Sequence, residues 1–490
     1  MAPTDQRRSS AHPQAPAAPR SPAELIVVTH GAGAPIQPIA LRENLATAEH
    51  VGTLLPLGAR LRRVFGPPSR LPGRLAGTEQ EPQGSDYLNY FAVGGAVYDL
   101  EAIAERLRAD DAVDGAYVKP GAEPPIAPLH EATRSYAEAP PVTPDFQARQ
   151  GYLDPAPTGI DARWAWTRPG GRGTGVRVVD IEGAWLFGHE DLTQNQGGLI
   201  GGESADDEGW RNHGTAVAGE ISGDVNSFGI TGIAPEAMIR AVSIFGAGSA
   251  AAIRTAADAL GPGDIILLEL HRPGPRHNFA DRPDQAGYIA IEWWPDDLAA
   301  IRYAHARGVV VVEAAGNGGE NLDAAIYDTR PTGFPATWRN PFRAEDSGAI
   351  IVGAGAPPPG THGRDHGPGR SRLAFSNYGA RVDTQGWGRE VTTTGYGDLQ
   401  GGADEEYWYT DTFSGTSSAS PIVVGAIACA QGIRATGPGR FTPTEIRARL
   451  RATGSPQTAA PNRPATQRIG NLPDVTALAE DGAADPEESV

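Results

Sequence analysis

Cysteine is nearly missing from this 490-residue sequence. Cys429 is its one thiol, so no disulfide can form within the chain. It sits in the apolar run IVVGAIACA and reads as a small buried filler. Methionine is scarce, at 2 residues, and aromatics reach only 7%. No stretch approaches the ~20 apolar residues of a membrane span. Positive charge is in deficit: 41 Lys and Arg against 59 Asp and Glu leave a net charge of −18. Such a chain repels nucleic acid and anionic lipid, so neither is an expected partner. Residues 1–22 carry Arg7 and Arg8 but no apolar core. No cleavable signal peptide is visible, which leaves the compartment open between the cytoplasm and export by another route.

Glycine (63) and proline (43) are plentiful, and hydrophobic residues make up 40% of the chain. That is enough for two or three cores joined by tight turns and long loops. Residues 1–22, rich in Ala, Pro and Ser, are expected as a disordered tail. Residues 23–118 read as a small α+β domain. AELIVV (23–28), YLNYFAV (87–93) and VDGAYV (113–118) are its strands, and LEAIAERL (100–107) its helix, with Leu100, Ile103, Ala104 and Leu107 on one face. Closely spaced prolines mark 119–154 as an exposed linker. From 155 to 480 short apolar runs alternate with helical stretches. GVRVVDI (175–181), DIILLEL (264–270), GVVVVEAAG (308–316) and GAIIVGA (348–354) read as buried parallel strands, and 296–308 as a helix. The fold class is α/β: a parallel sheet with helices on both faces, preceded by the small α+β domain. Residues 481–490 form an acidic tail.

Three residues fall where open α/β sheets place their sites. Asp180 ends the run VRVVD, His213 opens HGTAVAGEI, and Ser417 lies in FSGTSSASPIVVGAIA before a helix. A serine hydroxyl needs a base to take its proton, and the base needs an anion on its other nitrogen. Asp, His and Ser supply those roles in a known chain order. Asn317, ending EAAGN after a buried strand, offers a side-chain amide to an oxyanion, and the Ser417 amide at a helix start offers a second donor.

These motifs resemble the subtilisin-like serine peptidases. The similarity rests on Asp180 after a Val-rich strand, His213-Gly214-Thr215 with Val217-Ala218-Gly219, Ala315-Gly316-Asn317, and Gly415-Thr416-Ser417-Ser418-Ala419-Ser420-Pro421. It spans roughly residues 155–455. The resemblance implies a subtilisin-like catalytic domain acting as a serine endopeptidase through an acyl-enzyme on Ser417. Asp180, His213 and Ser417 would form the triad, with Asn317 in the oxyanion hole and no organic cofactor. It also implies a Ca²⁺ site: His189-Glu190-Asp191-Leu192 and the loop 224–230 look like the family's calcium turns, with Asp191 and Asn226 as ligands. More weakly, residues 23–118 resemble the family's propeptides. These lay their C-terminal tail in the active site, which implies an intramolecular inhibitor removed by a cut within 119–155.

The pattern also departs from the family. A hydroxyl residue usually follows the Asp, whereas this chain reads Asp180-Ile181-Glu182-Gly183. His213 is intact, unlike the base of the sedolisins, so Glu182 is expected to bind a backbone amide or a substrate amine. The substrate-lining Ser-Leu-Gly is replaced by Glu269-Leu270-His271. With Gly316, these three are the expected substrate-binding residues, reshaped towards a basic or polar residue near the cut. The insert 276–297, with Trp293 and Trp294, is either a rim loop or a packed excursion. Two other functions remain open on the sequence: a catalytically silent peptide-binding module, and a processing protease dedicated to one partner.

Overall fold

The computed structural model of the protein describes residues 20–30, 38–66, 86–95, 99–126, 139–344 and 346–480. The expected tails fall almost wholly outside these residues. Arg20, Ser21 and Pro22 are the exception. Ser21 exchanges hydrogen bonds with Ala122, its amide reaching the Ala122 carbonyl at 2.9 Å.

The N-terminal unit is an antiparallel sheet of β1 (Glu24–Thr29), β2 (Arg60–Arg63), β3 (Tyr90–Gly94) and β4 (Val113–Lys119), in the order β2-β3-β1-β4. Helices α1 (Pro38–Thr53) and α2 (Leu100–Arg108) accompany it. Ile103, Ala104 and Leu107 of α2 are buried against Leu25 and Val27 of β1, as the helical spacing predicts.

The larger unit opens with the short α3 (Ala162–Ala165), carries a separate antiparallel pair, β9 (His271–Pro273) and β10 (Tyr288–Ala290), and is built on seven parallel strands: β5 (Arg177–Glu182), β6 (Gln196–Gly201), β7 (Met238–Ser243), β8 (Ile265–Leu268), β11 (Val310–Ala314), β12 (Ile350–Gly355) and β13 (Thr384–Trp387). Their order is β13-β12-β11-β8-β5-β7-β6. The chain therefore enters mid-sheet at β5, goes out to the edge at β6, comes back through β7 and then crosses to β8 on the other side. That reversal beside β5 is where the carboxyl ends of neighbouring strands open a crevice. Alternation along the strands divides the core in two. Val178, Leu267, Val312 and Val352 face helices α4 (Glu208–Ser222) and α7 (Thr416–Ala435). Val179, Ile266, Val311 and Ile351 face α5 (Ser249–Ala259) and α6 (Pro295–Ala306). Helices thus cover both faces, as expected. By length and composition α7 could cross a membrane, contrary to the expectation that no stretch comes near it, but 94% of its apolar window is buried inside the protein, as in a core helix.

Two further expectations change. The 119–154 segment is not an exposed linker throughout: residues 121–125 are buried, and Phe146 donates its amide to Gly229 O at 2.7 Å. Pro124 and Pro125 belong to the stretch that lies in a groove, whereas residues 139–142 are exposed as expected. In the insert 276–297, Trp293 and Trp294 are core residues. The Trp293 ring lies 5.3 Å from both Phe334 and Trp338, so this part is a packed excursion.

Candidate active site

Parity on β5 decides the site. Asp180 and Glu182 share the face of Val178, and both side chains point towards α4 and α7. Glu269, just beyond β8, has the parity of Leu267 and points the same way. Asn317 follows β11. From the helix side, Asp207 caps α4 by accepting from Trp210 N at 2.9 Å, and α4 carries His213 and, two turns on, Glu220. Gly415 precedes α7 with φ 113°, a left-handed turn that sets Ser417 in the first turn of the helix.

The His213 Nδ1–H donates to Glu182 Oε2 at 2.7 Å. Asp180 is not the partner of the imidazole. Its Oδ2 accepts from Trp185 Nε1 at 2.7 Å, and it lies one strand repeat further from the carboxyl edge where His213 sits. The carboxyl that meets the imidazole is therefore Glu182, whose longer side chain closes the remaining gap, and not the expected Asp180. On the other side of the ring, His213 Nε2 has no hydrogen bond, and neither has Ser417 Oγ. Both residues are fully buried. Gly214 packs so tightly under the loop after β5 that a Cβ would lie 2.3 Å from Ala184 O.

Asn317 is tied to the nucleophile turn. Its Oδ1 accepts from Thr416 N and Thr416 Oγ1, each at 3.0 Å, which leaves the amide NH₂ to donate; it reaches Gln285 Oε1 at 3.2 Å. Gly316 N donates to Thr416 Oγ1 at 3.2 Å. The expected substrate-lining residues separate. Glu269 lies beneath α7 and accepts from Ser420 Oγ at 2.7 Å, so its side chain is no part of a peptide pocket. The Leu270 side chain is in the core on the opposite face. His271 alone of the three meets an extended peptide, described below.

Four buried carboxyls, Asp180, Glu182, Glu220 and Glu269, lie in this part of the core. Burial pushes Asp180 well above the ordinary carboxylate range, and the neighbouring Glu182 adds to it. Burial likewise raises Glu182. It raises Glu220, reinforced by the charge of Glu269, and raises Glu269, reinforced by Asp180. Burial pushes His213 down to about 3, so the imidazole is neutral at rest. Of this set the sequence reading missed Trp185, Glu220, Ser420 and Gln285. Glu220 was detectable, because seven residues separate it from His213 and place it on the same helix face.

The residues expected to hold calcium do not fit a cation. Asp191 Oδ1 accepts from Asn226 Nδ2 at 2.5 Å, and Oδ2 accepts from Ile230 N at 2.7 Å and Tyr409 OH at 3.1 Å. Asn226 Oδ1 is taken by Phe228 N at 2.9 Å. The carboxylate is thus ringed by hydrogen-bond donors, where a calcium ion needs oxygen ligands. Burial raises Asp191 to about 7. Among the described residues no group of three or more His, Cys, Asp or Glu is placed to hold a metal.

The Peptidase_S8 profile, the subtilase family, matches residues 187–471. The chain belongs to the subtilase family. The match begins after β5, the strand on which the acid differs from expectation. This subtilase is 29% identical to subtilisin BL of Lederbergia lenta over 262 residues, covering 52% of the chain and 76% of that relative. It is 30% identical to alkaline elastase YaB of Bacillus sp. (strain YaB) over 259 residues, 52% of the chain and 54% of that relative. Its fold is similar to that of fervidolysin from Fervidobacterium pennivorans, with a TM-score of 0.54 at 18% identity, covering 95% of this chain and 62% of that one. The subtilase is a serine-type endopeptidase, a hydrolase acting on protein or peptide substrates.

Proposed function

We propose that this subtilase cuts peptide bonds with Ser417 as nucleophile, His213 as base and Glu182, in place of the family's aspartate, as the anion that orients the base. The observation that carries the reading is the 2.7 Å bond from His213 Nδ1 to Glu182 Oε2, with His213 Nε2 and Ser417 Oγ both left unpartnered. A glutamate on Nδ1 fixes the tautomer whose Nε2 lone pair can take the Ser417 proton. Ser417 Oγ then attacks the scissile carbonyl carbon. The oxyanion is received by the Ser417 N–H and the Asn317 amide, which exchanges its 3.2 Å contact with Gln285 for the oxyanion. The protonated His213 gives its proton to the leaving amine, and water, activated by the same ring, releases the acyl group.

Asp180 holds the extra proton. Asp180 Oδ1 and Glu182 Oε1 are both buried without a partner. One proton carried by Asp180 and donated to Glu182 satisfies both and leaves Glu182 anionic, as its role requires.

The N-terminal unit acts as an intramolecular inhibitor. Support comes from the tail after β4, which is buried and pairs with His271 in the groove beside the site. Labelling of the full chain with a fluorophosphonate tests the nucleophile. Loss of the label in Ser417→Ala is expected, and equal labelling of both proteins would refute the assignment. A casein digest then separates general from dedicated proteolysis.

A further inference from the structure

The tail that leaves β4 runs through the groove, and Glu123 forms an antiparallel bridge with His271. Its amide donates to His271 O at 3.2 Å, and its carbonyl accepts from His271 N at 3.1 Å. The Glu123 side chain is 5% exposed. One carboxylate oxygen accepts from Gln285 Nε2 at 3.0 Å and lies 3.7 Å from His271 Nε2, while the other pairs with the Arg20 guanidinium. Arg20 arrives with the N-terminal segment and is also held by Asp281 and Tyr288. His271 and Gln285 belong to the catalytic unit and stay with it.

Register places this carboxylate relative to the chemistry. Antiparallel pairing of 123 with 271 sets residue 125 opposite Glu269. Glu269 lies directly under Ser420 and beside Ser417. Glu123 is therefore two residues upstream of the one nearest the nucleophile. The recognising residues also touch the catalytic machinery: Asn317 N donates to His271 Nδ1 at 3.3 Å, and Asn317 Nδ2 donates to Gln285.

We propose that the peptidase selects substrates carrying Glu or Asp as the third residue before the cut, read by His271 and Gln285. This rests on Ser417 being the nucleophile and on the tail lying as a substrate lies. It narrows the expectation of a basic or polar preference to an acidic residue, because Glu269 is turned away from the peptide and His271 and Gln285 face it. A carboxylate here replaces its hydration with a backbone-registered, charge-assisted bond from Gln285 Nε2, and the His271 Nε2 edge faces the same oxygen at 3.7 Å. Burial lowers the His271 pKa, and Glu123 works against that.

The full chain is labelled with fluorophosphonate and, in parallel, given a mixed peptide library whose cut sites are mapped by mass spectrometry. Acidic residues should be enriched at least about tenfold over Lys at the third position before the cut, the scale of one charge-assisted hydrogen bond. In the digest made by Gln285→Glu, the ratio of Glu to Ala at that position should fall to that of the library. A protein that labels and cuts with no acidic enrichment overturns the pocket, as does an enrichment that Gln285→Glu leaves unchanged. A protein that neither labels nor cuts once the chain has been severed within 119–155, so that the tail can leave the groove, overturns the peptidase reading beneath it, and the pocket falls with it.

Discussion

Two acids on one strand face compete for His213, and the geometry gives the imidazole to Glu182. If Asp180 serves as a proton-bearing support, an amide should replace it. Asp180→Asn should keep kcat within about tenfold, whereas Glu182→Gln should lose about 10⁴-fold by presenting the wrong tautomer to Ser417. Peptide p-nitroanilide turnover measures both, and equal losses would return the orienting role to Asp180 or share it. Glu220 offers a separate test. Neither of its carboxyl oxygens has a partner, and burial holds its proton well above the range of an exposed glutamate. The unfolded chain releases that proton near pH ~4.3. A raised native pKa contributes stability fully below that value and loses it as pH rises towards the native one. Glu220→Gln should therefore melt at least about 2 °C higher than the wild type at pH 8, and at the same temperature at pH 4. Calorimetry at both pH values decides this, and a variant that melts lower at pH 8 would show that Glu220 is ionised and paired.

At the scale of elements, site placement follows from strand parity and from close helix approach. β5 fits between β7 and β8 with its even-numbered residues towards α4 and α7. α4 comes close enough to present His213 because residue 214 has no side chain. Gly214→Ala would force Cβ to 2.3 Å from Ala184 O and against Trp185. Moving the helix outward should cost about 100-fold in kcat, the scale of an ångström of misplacement. Wild-type turnover in that variant would show that α4 retreats without moving the base. Much of this was legible. The strands, α2, α6 and the motif around Ser417 lie where periodicity put them, because their patterns are local. The choice between Asp180 and Glu182 was not, because both fit the same strand end and only distance to α4 separates them. The carboxyl-edge rule did contain the hint, since Glu182 is the last residue of the strand. The fit of Asp191 and Asn226 to calcium was not legible for a similar reason: sequence supplied oxygen-bearing residues, but not the donors that already occupy them.

Across the whole molecule, the N-terminal unit is fastened by charge as well as by its tail. Lys119, the last residue of β4, is fully buried between Asp296 and Asp297 at the start of α6, with Glu24 at 3.3 Å. Burial alone would lower its pKa, but the two aspartates more than offset this and raise it. Tyr117 OH adds a hydrogen bond to Asp296 at 2.9 Å. Removing one member of such a buried set costs about 3–5 kcal/mol. In Lys119→Ala the unit should therefore dock less firmly, and the freshly purified full chain should label with fluorophosphonate at least about tenfold faster. An unchanged rate would mean that the tail contacts alone keep the site shut.

The passage from β4 into the groove has no break between Lys119 and Ile126. An occupant joined to its host by one continuous backbone has a local concentration fixed by geometry, whatever the number of molecules in solution. Under the proposed inhibitor role, latency is first order: dilution does not relieve it and crowding does not deepen it. Severing the tether turns the same contacts into a bimolecular equilibrium, so one cut changes the law that activity obeys as well as its amount.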